Sequence, residues 1–289
     1  MNSATIQSLP CTIARLIPAI DAQDGAGVKL KRSLGRGGNT RVDPFLMLDA
    51  FSSANPNDYI AGFPAHPHRG FETVTYMLEG HLIHRDHMGN EGNLKSGGVQ
   101  WMTAGRGVIH EERPKLTNGV MRGFQLWVNL PADEKMKPAF YQDIPAEQVP
   151  SISLPNGITV KAIAGSINVE GQSLQGPVSG ITTEPVFIDV TLPSNTHINL
   201  PITTDHQAFI YQFEGESCIN DTPVEPHNAA VLTQGNTVTV ISGDKTSRFL
   251  VLSGKPINEP IAQYGPFVMN TMEEVEQAIQ DYQNGTLTD

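Results

Sequence analysis

The sequence predicts an all-β chain built as two β-domains in tandem and closed by one short C-terminal helix. Three observations carry this reading. Runs of β-branched and aromatic residues recur and end in turn signals, as at 73–78 (TVTYML) before Glu79-Gly80. The 27 glycines and 21 prolines are about one residue in six, and only 17% of residues are charged against ~25% in an average globular chain. That composition favours short strands and many turns over long surface helices. The text also repeats itself: Tyr76-Met77-Leu78-Glu79-Gly80 returns 135 positions later as Tyr211-Gln212-Phe213-Glu214-Gly215, with Asp86 falling on Asp221. A glycine before a β-rich stretch recurs likewise at Gly98 and Gly235. Such a period suits two copies of a domain of ~100–150 residues.

Taken in order, the first sixty residues alternate short apolar stretches with turns such as GRGG at 35–38. Strand text follows at 73–78, 81–85, 99–103 and 124–130 (FQLWVNL). The polar, proline-punctuated stretch PADEKMKPAFYQDIPAEQVP then reads as a linker, placed at 133–150, between an N-terminal domain over 1–132 and a C-terminal domain over 151–289. Strands resume at 159–162, 186–191, 208–213, 229–232, 237–241 and 249–252. In the tail the period changes. Thr271 and Glu274 form a capping box, Val275, Ala278, Ile279 and Tyr282 follow at helical spacing, and Asn284-Gly285 is a stop, so a helix is predicted near 271–284.

Charge and cysteine usage exclude several classes of function. A net charge of −11 and a pI near 5.2 argue against a broad basic surface for nucleic acid or anionic lipid. Two separated cysteines, Cys11 and Cys218, make no disulfide framework and fit a reducing compartment. The N-terminus lacks the pattern of a secretory signal, and no apolar run reaches the ~20 residues of a membrane span. The expectation is a soluble, cytoplasmic protein.

Six of the nine histidines lie between 66 and 110. His66-Pro67-His68 places two imidazoles at i, i+2, and His110-Glu111-Glu112 places an imidazole and a carboxylate at the same spacing. On a strand such pairs point to one face, about 6.6 Å apart. Two strands of this kind facing one interior offer three nitrogen ligands and one oxygen ligand to a first-row divalent metal. His81, His84 and His87 are read as solvated or hydrogen-bonding residues, and His197, His206 and His227 as structural. Trp101 and Trp127 are core candidates, either of which could line a pocket. Shifted by 135, the first pair falls on Pro201 and Thr203, and the second, shifted by 135 to 137, lies within 245–249; no metal ligand stands there, so one metal per chain is expected.

The segments HPHRGFETVTYMLEG, QWMTAGRGVIHEE, QLWVNL and PFVMNTMEEVEQAI resemble the pirin family, a two-domain branch of the cupin superfamily, across residues 43–278. The resemblance implies two stacked antiparallel β-barrels of jelly-roll type with the metal in the first. By motif it assigns His66, His68, His110 and Glu112 as ligands. Glu72 fits a position of the general cupin motif and is expected beside the ligands or as a polar core residue. Some pirins open flavonols such as quercetin with O₂, yielding a depside and carbon monoxide, which implies a flavonol-like substrate and Glu112 as ligand and proton acceptor. Iron(II) is the metal implied, though Mn, Co, Ni, Cu or Zn suit the same donors. The other role the family implies is an iron-binding, redox-responsive regulator acting through a protein partner. No direct nucleic-acid or membrane contact is expected, and two fused barrels are expected to work as a monomer.

Overall fold

The structure, a computed structural model, describes residues 8–116 and 119–289. It is mostly β-strand with one α-helix, and its named sheets are antiparallel. The chain divides into two compact units. One comprises Ala19–Val149, Gly180–Thr183 and Ile257–Asp289; the other comprises the described residues through Pro18, with Pro150–Ser179 and Glu184–Pro256.

The first unit holds a seven-stranded and a four-stranded sheet. In the larger sheet the strand Phe71–Glu79 runs between Val99–Thr103 and Met121–Asn129, matching the β-rich text expected there. Its side chains are buried from Phe71 to Met77, which explains the run of β-branched and aromatic residues. The smaller sheet carries the functional strands, in the order Phe63–His68, Val108–Pro114, His81–Asp86, Glu91–Lys95. Phe63–His68 lies at the edge, where Pro67 costs no ladder donor. Between this strand and Phe71–Glu79 the chain turns at Gly70, whose φ is +90°; a Cβ there would stand 2.0 Å from the Val268 carbonyl oxygen.

The stretch 133–150 does more than connect. Its segment Phe140–Ile144 is a strand paired with Val99–Thr103 at the edge of the seven-stranded sheet. Edge pairing tolerates polar residues and flanking prolines, so the segment reads as a linker in one dimension. The first sixty residues likewise contain the strands Ile13–Pro18, Ile20–Asp24, Val28–Leu34 and Phe45–Ser53.

The helix spans Met272–Asn284. Thr271 caps it through the Glu274 amide, Glu274 returns the bond to the Thr271 N–H, and Gly285 closes it in the left-handed conformation. Val275 and Ala278 pack with Phe267, Met269 and Leu287, beside Ile109 of the functional strand. The helix thus lies in the unit built mainly from the first half of the chain, and Ile13–Pro18 lies in the unit built mainly from the second.

The second unit repeats the plan: a seven-stranded sheet with Gln207–Glu214 in third place, and a four-stranded sheet in the order His197–Pro201, Thr237–Ser242, Ser217–Ile219, Thr222–Val224. The echoed tyrosines Tyr76 and Tyr211 sit on the equivalent third strands, both buried. Cys11 and Cys218 are free. No described helix is long and apolar enough to cross a membrane.

Candidate metal centre

Strand pairing assembles the site. In Val108–Pro114 the residues Val108, His110, Glu112 and Pro114 are buried while their neighbours are partly or fully exposed, so the two-residue period turns His110 and Glu112 to the same face. His110 pairs directly with His66, and Val108 with His68. One extra residue on the edge strand then breaks the register, so that Glu112 pairs with Phe63. The ligand atoms of His66, His68 and His110 all lie within 4.8 Å of one another. His110 Nε2 stands 3.0 Å from His66 Nε2, and the His66 Nδ1–H donates to the Pro64 carbonyl at 2.8 Å.

The electrostatics suit a cation. Burial holds the imidazoles of His68 and His110 well below the usual histidine range and also lowers His66, with neighbouring rings adding repulsion at His68 and His110. Neutral rings offer lone pairs. Among the described residues the buried His68 Nδ1 has no hydrogen-bond partner. Burial also pushes the Glu112 carboxyl up to about 7, against a hydrogen bond from Thr75 that lowers it. Thr75 Oγ1 lies 3.3 Å from Glu112 Oε1 and 2.7 Å from Gln125 Oε1. The three neutral imidazoles of His66, His68 and His110 could hold a metal; Glu112 lines the same cavity but is not among the three grouped donors.

A cavity of about 580 Å³ opens onto this cluster. Its wall includes His66, His68 and Glu112 together with Phe63, Trp127 and Gln125. Further round, Arg32 donates to Asp49 at 2.8 and 2.6 Å and to Asp24 at 2.7 Å. Burial raises Asp49 to about 6 even so. Trp127 packs edge-on against His68 at 5.5 Å, whereas Trp101 is buried in the core.

Glu72 faces elsewhere. It accepts hydrogen bonds from Trp101 Nε1 at 3.1 Å and Thr103 Oγ1 at 2.8 Å, with Lys137 Nζ at 3.6 Å, and is not part of the imidazole cluster. His84, read from the sequence as solvated or hydrogen-bonding, is a hydrogen-bonding residue behind the cluster. It is buried, pairs across the sheet with Glu112, and its Nε2 lies 2.9 Å from His110 Nδ1. Its only sequence signal was its place opposite a ligand strand, which needs the register to be known.

Two units that each hold a seven-stranded and a four-stranded antiparallel sheet, with a histidine cluster in the first, have the make-up of a two-domain cupin. Residues 27–128 match the family described as Pirin, and residues 187–288 match the Pirin C-terminal cupin domain. The chain belongs to the pirin family. It is 51% identical over 270 residues to a Pseudomonas aeruginosa protein provisionally named a quercetin 2,3-dioxygenase, covering 92% of this chain and 94% of that one. It is 40% identical over 270 residues to human pirin, covering 91% and 89% of the two chains. The crystal structure of an Acinetobacter baumannii quercetin 2,3-dioxygenase superposes with a TM-score of 0.86 at 34% identity, covering 96% of this chain and 98% of that one.

Proposed function

We propose that this pirin is a metal-dependent dioxygenase that opens flavonols such as quercetin with O₂, holding one iron(II) on His66, His68, His110 and Glu112. The observation that carries the proposal is the cavity of about 580 Å³ over the imidazoles, within the roughly 300–1,000 Å³ of small-molecule sites. An iron-responsive regulator needs no such chamber, whereas a ring substrate does. The names of the Pseudomonas and Acinetobacter relatives support the same reading.

When bound, the metal supplies Lewis-acid stabilisation of the substrate's enolate and brings the reactants together. The chain does the rest. Phe63, Trp127 and Met47 bound the space in which a planar ring system lies and exclude water from it. Glu112 takes the proton of the flavonol hydroxyl that is turned toward the cluster. Burial raises its carboxyl to about 7 in the metal-free protein, and a bound cation would lower it again, so that a carboxylate is present at neutral pH to accept the proton, a contribution typically worth 10²–10⁴-fold. Thr75 Oγ1 stands 3.3 Å from that carboxyl and is its hydrogen-bond partner, in competition with Gln125 Oε1 for the one hydroxyl proton.

The test is O₂ uptake on adding quercetin to protein reconstituted anaerobically with Fe(II), with bound metal quantified, beside His110→Ala. Uptake in proportion to metal, lost in the variant, supports the proposal. Fully metallated protein without uptake would move the assignment to the iron-dependent regulator.

A further inference from the structure

A hydrogen-bonded path leads out of the histidine cluster through His110. His110 Nδ1 meets His84 Nε2 at 2.9 Å; His84 Nδ1 meets Gln100 Nε2 at 3.0 Å; Gln100 Nε2 donates to Asp143 Oδ1 at 2.8 Å. His110, His84 and Gln100 are all buried. The ends of the path fix the roles along it. Pro64 O can only accept, so His66 Nδ1 carries the proton and His66 Nε2 presents a lone pair toward His110. At the other end the Gln100 amide has two hydrogens, one for Asp143 and one for His84 Nδ1. His84 then donates through Nε2 to His110 Nδ1, and His110 Nε2–H donates to His66 Nε2.

A metal on His110 Nε2 requires the opposite arrangement. The ring proton must sit on Nδ1 and be accepted by His84 Nε2, which places the His84 proton on Nδ1 facing Gln100. Rotation of the Gln100 amide presents its oxygen there; because Nε2 is also the atom that donates to Asp143, the rotation gives up that bond, and Asp143 must turn away or take a proton for the relay to run the other way. We propose that His84 is the positioning residue of the metal centre: through His110 Nδ1 it fixes the ring's orientation and proton, and its link to Gln100 reverses when metal loads. The inference rests on reading the cluster as a metal site. Outer partners of ligating histidines typically change metal affinity by ~10–100-fold.

The choice of variant follows from the surroundings. A second cavity, of about 390 Å³, lies against His84, Tyr141 and Asp143. An alanine at 84 would admit water able to accept the same hydrogen bond; phenylalanine fills the space and accepts none. The experiment is a chelator-competition titration of the full-length protein with Co(II), read by affinity and by the cobalt visible spectrum. His84→Phe is expected to lose ~10–100-fold in affinity and to shift the spectrum, whereas His84→Gln, whose amide oxygen can accept from His110, stays within about threefold of wild type. Should His84→Phe not fold, Gln100→Leu carries the test, with an expected loss of ~3–10-fold and the same spectral shift. A folded His84→Phe within threefold of wild type, an unaltered Gln100→Leu, or a His84→Gln as weak as His84→Phe would each overturn the proposal. Wild type that binds no cobalt would overturn instead the metal-site reading beneath it.

Discussion

The two units use one sheet plan for opposite ends. In the first, the edge strand Phe63–His68 pairs with Val108–Pro114 and sets His66 opposite His110 and His68 opposite Val108. In the second, the edge strand His197–Pro201 pairs with Thr237–Ser242 and sets Ile198 opposite Val240 and Leu200 opposite Val238. Matching the ladders places Ile198, Leu200 and Val240 where the first unit has His66, His68 and His110. The uniform shift of 135 pointed to Pro201, Thr203 and 245–249 instead, because turns of different length displace the two ladders by different amounts. The absence of ligands at the equivalent positions is the same under either alignment. All four of these aliphatics belong to the apolar core of their unit. One face of one sheet thus carries a histidine cluster that could hold a metal in the first unit and apolar packing in the second. Buried imidazoles without a metal are a cost to the fold that buried aliphatics are not.

The sharpest way to break this difference is to convert the first unit into the second. The triple variant His66→Ile, His68→Leu, His110→Val should bind no metal and show no O₂ uptake. Its melting temperature should equal or exceed that of metal-free wild type, since polar rings give way to apolar side chains. A lower melting temperature in calorimetry would show that the cluster stabilises the fold by itself. The reciprocal lesion, Leu200→Ala, should cost ~2–5 kcal/mol through the cavity it leaves. Denaturant unfolding measures that cost, and metal titration should still give one ion per chain with unchanged affinity.

pH sharpens the comparison further. With the imidazoles of His68 and His110 held well below the usual range, they remain neutral through mild acid, and Glu112 near 7 becomes the group that must lose a proton on loading. Metal affinity should therefore fall about tenfold per pH unit below 7, and Glu112→Gln should flatten that slope. Without metal the sign at Glu112 is the reverse of an ordinary carboxylate. Between 4.5 and about 7 the folded carboxyl binds more protons than the unfolded one, so its stabilising contribution is present below 4.5 and lost as pH rises through 7. Metal-free Glu112→Gln should melt above metal-free wild type at pH 8 and converge with it near pH 4.5. The smallest effect expected is that of Thr75→Val. Loss of the bond to Glu112 should cost ~0.5–1.5 kcal/mol and move the midpoint of metal loading to higher pH, because that bond lowers the carboxyl.

By itself the sequence determined what is local. The i, i+2 spacing of His66 with His68 and of His110 with Glu112, the Thr271–Glu274 capping box, and the tyrosine echo follow from strand and helix periods, which any chain segment carries within itself. The strands 99–103 and 237–241 were legible to within a residue for that reason. What only the tertiary structure decided is which strands meet and in what register. That choice brought His66 against His110, turned Glu72 toward Trp101 and Thr103, and made Phe140–Ile144 an edge strand instead of a tether. It placed the terminal helix beside Ile109 and set His84 behind His110. Pairing register is fixed by burial summed over distant segments, so no local pattern encodes it.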